Sequence, residues 1–167
     1  MKKIKSLFMV ALSLLLCVCV FSGCGASKYT TLHNRNLELT DSEETFVEED
    51  NLVLDETFKT SNPYVANYET EDISFKIAGV RYTSAHFRFE HGNLKSMYYG
   101  RDFGQDLNKN TAYDKLKKQL SNIYGEPTNS DGDEWKVKFA DGAVYKIHIS
   151  SYLSIDFDYV EIQDRDD

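Results

Sequence analysis

Four histidines, His33, His86, His91 and His148, are the side chains here best suited to move a proton or hold a metal near neutral pH. A protein metal site needs at least three converging ligands. His86 and His148 fall on the polar side of alternating segments, and a carboxylate such as Asp156 would complete a set only if sheet order brought their strands together. His91 lies in a turn and His33 in a polar, aperiodic stretch, which reads as an exposed linker position. The acidic run Asn129-Ser130-Asp131-Gly132-Asp133-Glu134 lacks the spaced ligands and distal Glu of a calcium loop, so it reads as a hairpin or surface loop. No Gly-x-Ser-x-Gly elbow, His-Glu-x-x-His pair or phosphate-binding Gly-rich loop occurs. The expectation is therefore no catalytic residue, no metal and no cofactor, with an enzyme of unrecognised type as an alternative.

Cysteine usage is more informative. The three cysteines, Cys17, Cys19 and Cys24, all lie near the start of the chain. Lys2, Lys3 and Lys5 precede an almost wholly apolar run from Leu7 to Phe21, and Ser22, Gly23 and Gly25 surround Cys24. A basic start, an apolar middle and a small-residue exit are the three regions of a secretory signal. The run is also shorter than the roughly 18 residues that span a bilayer. Phe21-Ser22-Gly23-Cys24 resembles the lipobox of bacterial lipoproteins, with Phe21 where that family usually carries Leu. The resemblance implies cleavage after residue 23, lipidation of Cys24, and a protein held by acyl chains at the outer side of the cell membrane. Cys24 would then be the sole cysteine left, which excludes a disulfide within the chain and a thiolate zinc site.

Losing residues 1–23 strips three lysines and no acid, so the formal net charge, −8 for the whole chain, becomes more negative by three. Such a balance argues against nucleic acid or anionic lipid as a charge-driven partner. Attachment would rest on the lipid, and stable anchoring takes more than one acyl chain.

The pattern divides the chain into a signal (1–23), a polar tether (24–40), one α+β domain (41–162) and a charged tail (163–167). Asp41 or Ser42 can cap a short helix whose first turn holds Glu43 and Glu44. The loose alternation of 51–58 suggests a strand, and Asn62-Pro63 a break. Ile73, Phe75 and Ile77, then Ala85, Phe87 and Phe89, alternate with polar residues as half-buried strands do. Val80 and Tyr82 have the opposite parity to Phe87, which requires a bulge near Thr83-Ser84. Tyr113, Leu116, Leu120, Ile123 and Tyr124 share one face of a helix over 110–124, started by Asn110 or Thr111 and stopped by Gly125 and Pro127. Its wet side carries Lys115, Lys117 and Lys118, a solvated face. Parity next predicts a three-residue loop, 140–142, pairing Phe139 with Ala143 and Trp135 with Ile147. A second loop over 150–152 would oppose Lys146 and Asp156.

Together these give an antiparallel sheet with the 110–124 helix packed on the face of Trp135, Ile147 and Phe157, in what could be two αβββ-type repeats. Tyr124-Gly125-Glu126-Pro127 closing an amphipathic helix, followed by Trp135 on a strand, resembles beta-lactamase-inhibitor-like domains and lipoproteins of the SmpA/OmlA kind. That likeness implies helices on one face of an antiparallel sheet and a protein-binding role. If His91-Gly92 is a two-residue turn, Met97 and Tyr99 point away from the core, beside His86 and near Arg101. These four residues form the expected interaction surface. The competing arrangement covers that face with 64–68 or the first helix. The expected role is a protein-binding module of the cell envelope; the alternative is an inhibitor of a secreted enzyme that inserts a loop at His91-Gly92 or Gly132.

Overall fold

The computed structural model describes residues 27–57, 60–70 and 73–160. The expected signal, Cys24 and the charged tail lie outside the described residues. Among the described residues, two helices, α1 (Glu43–Asp50) and α2 (Lys109–Tyr124), accompany eight strands: β1 (Val53–Leu54), β2 (Val65–Thr70), β3 (Phe75–Ile77), β4 (Val80–Glu90), β5 (Asn93–Arg101), β6 (Glu134–Lys138), β7 (Val144–Ile149) and β8 (Ile155–Val160). All pairings are antiparallel, in the order β1-β2-β4-β5-β8-β7-β6, with β3 beside the early part of β4. The α+β expectation agrees with this arrangement.

Local chemistry explains the elements. Ser42 caps α1, its hydroxyl accepting from Thr45 N at 3.3 Å. α2 starts one turn position earlier than its apolar stripe suggests, because the Asn108 side chain, rather than Asn110 or Thr111, accepts from Thr111 N. Gly125 ends it at φ 91°, a left-handed conformation that costs a residue without Cβ little. The β6–β7 hairpin has the expected loop: Trp135 faces Ile147, and Phe139 N donates to Ala143 O at 2.8 Å. The expected bulge in β4 is present, as pairing shifts between Tyr82 and Ser84.

The next hairpin slips. Ile149 pairs with Ile155, so the loop runs over 150–154, and Lys146 faces Asp158 while His148 faces Asp156. The expected Lys146–Asp156 pairing is wrong by two residues. Such a slip leaves every side chain on its own face, so alternation is blind to it.

One row of the sheet reads Tyr68, Phe87, Met97, Phe157, Ile147, Trp135 across six strands. Phe87, Met97, Phe157, Ile147 and Trp135 are buried in it, and Tyr68 packs against them. Phe46 of α1 meets Phe87 and Phe89, and Tyr124 of α2 meets Phe157 at 6.2 Å between ring centroids.

Residues 27–40 correct the expected tether, at least from Ser27 onward. Thr31, Leu37 and Leu39 are fully buried. Tyr145 Oη donates toward Leu39 O and Leu94 O, both at 2.8 Å, and Tyr29 packs on Phe139. The domain therefore starts before residue 41. The reason is the Leu37-x-Leu39 alternation, too short to stand out among polar neighbours. His33 is likewise no exposed linker residue: its Nδ1 lies 2.5 Å from Tyr99 Oη and its Nε2 2.7 Å from Asp50 Oδ2.

Candidate functional site

Two of the four expected surface residues are in the core. Met97 and Tyr99 are buried. The expected turn is correct, since Glu90 pairs with Asn93 and Phe89 with Leu94. The pairing then shifts so that Arg88 faces Ser96, which leaves Lys95 as an extra residue in β5. One extra residue exchanges the two faces beyond it. Met97 and Tyr99 turn inward, and Ser96 and Tyr98 take the open face. The signal was legible: Leu94 and Met97 are three apart, where an unbroken strand would space its apolar residues by two.

His86 keeps its expected place on the open face and pairs with Tyr98, the rings 5.9 Å apart. Register then extends one polar row across six strands: Glu69, His86, Tyr98, Asp156, His148, Glu134. A second row reads Asn67, Arg88, Ser96, Asp158, Lys146, Lys136. The segment 64–68 does not cover this face, because β2 instead extends the sheet beside β4.

The open face is grooved. A cavity of about 420 Å³ is lined by Asp55, His86, Arg88, Tyr98, Asp156 and Asp158, among others. A neighbouring depression brings in Arg101, whose guanidinium lies 4.7 Å over the ring of Phe103. Phe103 is 68% exposed, an aromatic group left in water beside the groove. His86 and Tyr98 line both hollows. A side chain at Gly100, in the second hollow, would collide with Ser84 Oγ.

The row's electrostatics are uneven. His148 Nε2 stands 3.3 Å from Asp156 Oδ2, and its Nδ1 3.9 Å from Asp158 Oδ2. Burial lifts the Asp156 carboxyl above its ordinary range; the His148 imidazole opposes the lift and the charge of Asp158 adds to it. At the other end, Asp55 is 4% exposed, and its Oδ2 lies 3.8 Å from His86 Nδ1. His86 and His148 do not converge on Asp156: β5 and β8 separate their strands, so the metal trio weighed from the sequence does not form.

The acidic run 129–134 is clamped from within. Asp133 accepts from Tyr113 Oη at 2.5 Å and from Asn129 Nδ2 at 2.6 Å, and Lys117 Nζ donates to Asp131 O. Those two hydrogen bonds, Asn129's before Tyr113's, pull the Asp133 carboxyl below its ordinary range. Comparison with protein-family models, curated proteins and solved structures finds no match for the chain.

Proposed function

We propose that the chain is a lipid-anchored, extracytoplasmic binding module of the cell envelope, attached through Cys24, that receives a basic segment of an envelope or secreted protein on its open sheet face. The observation that carries the reading is the continuous polar row Glu69-His86-Tyr98-Asp156-His148-Glu134 over a groove on the uncovered face. Three carboxylates, Asp55, Asp156 and Asp158, line that groove against one arginine, Arg88. Asp156 already bears a desolvation cost, which an incoming ammonium or guanidinium would offset. Tyr98 supplies the amphipathic ring that interfaces favour.

The same row supports reading the domain as two αβββ units. To that row each half contributes three strands, β2, β4 and β5 from one and β6, β7 and β8 from the other, with β5 and β8 meeting at the centre and β1 and β3 as additions to the first half. From the outside inward, one half places Glu69, His86 and Tyr98, the other Glu134, His148 and Asp156. In this reading α2 packs on the Trp135, Ile147 and Phe157 face as α1 does on Phe87 and Phe89. The inhibitor alternative needs a projecting loop. His91-Gly92 is instead tied back, with Glu43 N donating to Gly92 O at 3.0 Å and Tyr64 stacked on His91 at 4.7 Å.

A photo-crosslinking residue in place of Tyr98 tests the docking face. It should capture a discrete partner in intact cells, whereas the same residue at Lys115 on α2 should not. Asp158→Lys should reduce capture at least roughly tenfold, as charge reversal at an interface does. Equal capture from both positions, or none from position 98, would refute the open face as the docking surface.

A further inference from the structure

Asp55, Glu69 and His86 lie at the β1 end of the polar row; the docking reading counts them among the groove's polar groups and assigns them no ligand of their own. Each offers one ligand atom, and the three atoms lie within 4.8 Å of one another. We infer that they form a binding site for a divalent transition-metal ion, with zinc the best fit, at the mouth of the open-face groove.

The sheet builds the site. Glu69 of β2 and His86 of β4 are direct cross-strand partners, so the ladder fixes their separation. Asp55 follows β1 and is held to the same sheet by its own N–H, which donates to Asn67 O at 2.9 Å. Its carboxylate is oriented as well: Oδ1 accepts from Thr57 N at 2.9 Å, and Oδ2 faces His86. The three ligands thus come from three chain segments with hydrogen-bonded backbones, the rigid support a metal site needs.

Distances and charge agree. The 3.8 Å between Asp55 Oδ2 and His86 Nδ1 is too long for a hydrogen bond but close to the spacing of two atoms on one tetrahedral ion. A point equidistant from atoms no more than 4.8 Å apart lies at most about 2.8 Å from each, so side-chain rotations of under about one ångström reach the roughly 2.0–2.2 Å of zinc–nitrogen and zinc–oxygen bonds. Two carboxylates and a neutral imidazole balance a divalent cation. One nitrogen and two oxygen ligands suit a first-row transition metal, and zinc outranks manganese and iron at such a site. Asp55 and His86 also line the 420 Å³ groove, which leaves a fourth coordination position facing solvent.

The test needs no partner protein, so its failure leaves the docking reading standing, and failure of docking leaves this one. The full chain, purified in detergent and stripped with a chelator, is dialysed against micromolar zinc and its bound metal measured. One zinc per chain is expected, with visible ligand-field bands when cobalt is substituted. His86→Ala and Glu69→Gln change half-buried side chains and should fold normally by circular dichroism, yet each should weaken zinc binding at least tenfold. His148→Ala, in the same row beyond Asp156, should leave it unchanged. No stoichiometric zinc, undiminished binding in both site variants, or loss in His148→Ala alone would overturn the site.

Discussion

Tyr99 shows how much one buried hydroxyl can organise. Its Oη accepts from Leu32 N at 3.3 Å and meets His33 Nδ1, which in turn connects through Nε2 to Asp50. Tyr99 Oη and the His33 ring thus link a strand, the N-terminal segment and the end of α1, and burial raises the phenol well above its ordinary pKa, so the group stays neutral. Tyr99→Phe should therefore cost about 1–3 kcal/mol, the penalty for stranding buried polar partners, as measured by urea unfolding. Asp133 gives a pH prediction. Its folded-state pKa is depressed, so its contribution to stability is present above the ordinary aspartate range and lost as pH falls through the folded value. Wild type should exceed Asp133→Asn in urea midpoint at pH 7, and the gap should close below about pH 4. A gap that persists into acid would show that the clamp to Tyr113 does not depend on the charge. Neither network was legible in the sequence, since His33, Asp50 and Tyr99 carry no spacing rule in common.

At the scale of elements, the decisive feature is Lys95. It is the extra residue that returns Met97 and Tyr99 to the core, and its Nζ sits 4.0 Å over the Tyr159 ring. Deleting Lys95 should force either Met97 and Tyr99 outward or Leu94 out of register, and should abolish cooperative unfolding followed by near-ultraviolet circular dichroism. Replacing it by alanine keeps the bulge and should lose only about 0.5–1 kcal/mol from the half-buried cation–π contact. Helix α2 behaves more simply. Its stripe of Leu116, Leu120 and Tyr124 was readable from 3.6-residue periodicity, and all three are buried. Leu116→Ala should cost about 2–5 kcal/mol in thermal or urea unfolding, the range for a leucine truncated in a packed core.

For the whole molecule, attachment and architecture are separable. Among the described residues, no helix is long and apolar enough to cross a membrane. The lipid reading makes Cys24 the anchor, so Cys24→Ser should appear in the soluble fraction after cell disruption; retention in membranes would favour an uncleaved apolar anchor. On that reading the anchor and the domain would be close in sequence. The segment holding Leu37 and Leu39 is already packed, so little chain would separate a lipid on Cys24 from the fold, and the module would sit near the membrane surface. A chain cut to begin at Asp41 should lose cooperative unfolding, because it removes two fully buried leucines and, with Leu39, one of the two carbonyls that accept from the Tyr145 hydroxyl.

The sequence by itself determined what short-range physics controls. Alternation placed Phe87, Trp135, Ile147 and Phe157 on a buried face; turn chemistry placed Gly142; parity required the bulge after Tyr82 and the 140–142 loop. These depend on neighbours within a few residues, where the period of two and a left-handed turn leave few choices. Tertiary structure alone decided the partnership of β5 with β8, which sets Tyr98 beside Asp156, and the placement of β2 beside β4, which sets Glu69 beside His86. Pairings between distant segments are chosen by how whole faces fit, and a two-residue slip such as that at 150–154 changes partners without moving any apolar side chain out of the core. The polar row on the open face was therefore present in the sequence as separate residues and became a candidate site only when the strands were put in order.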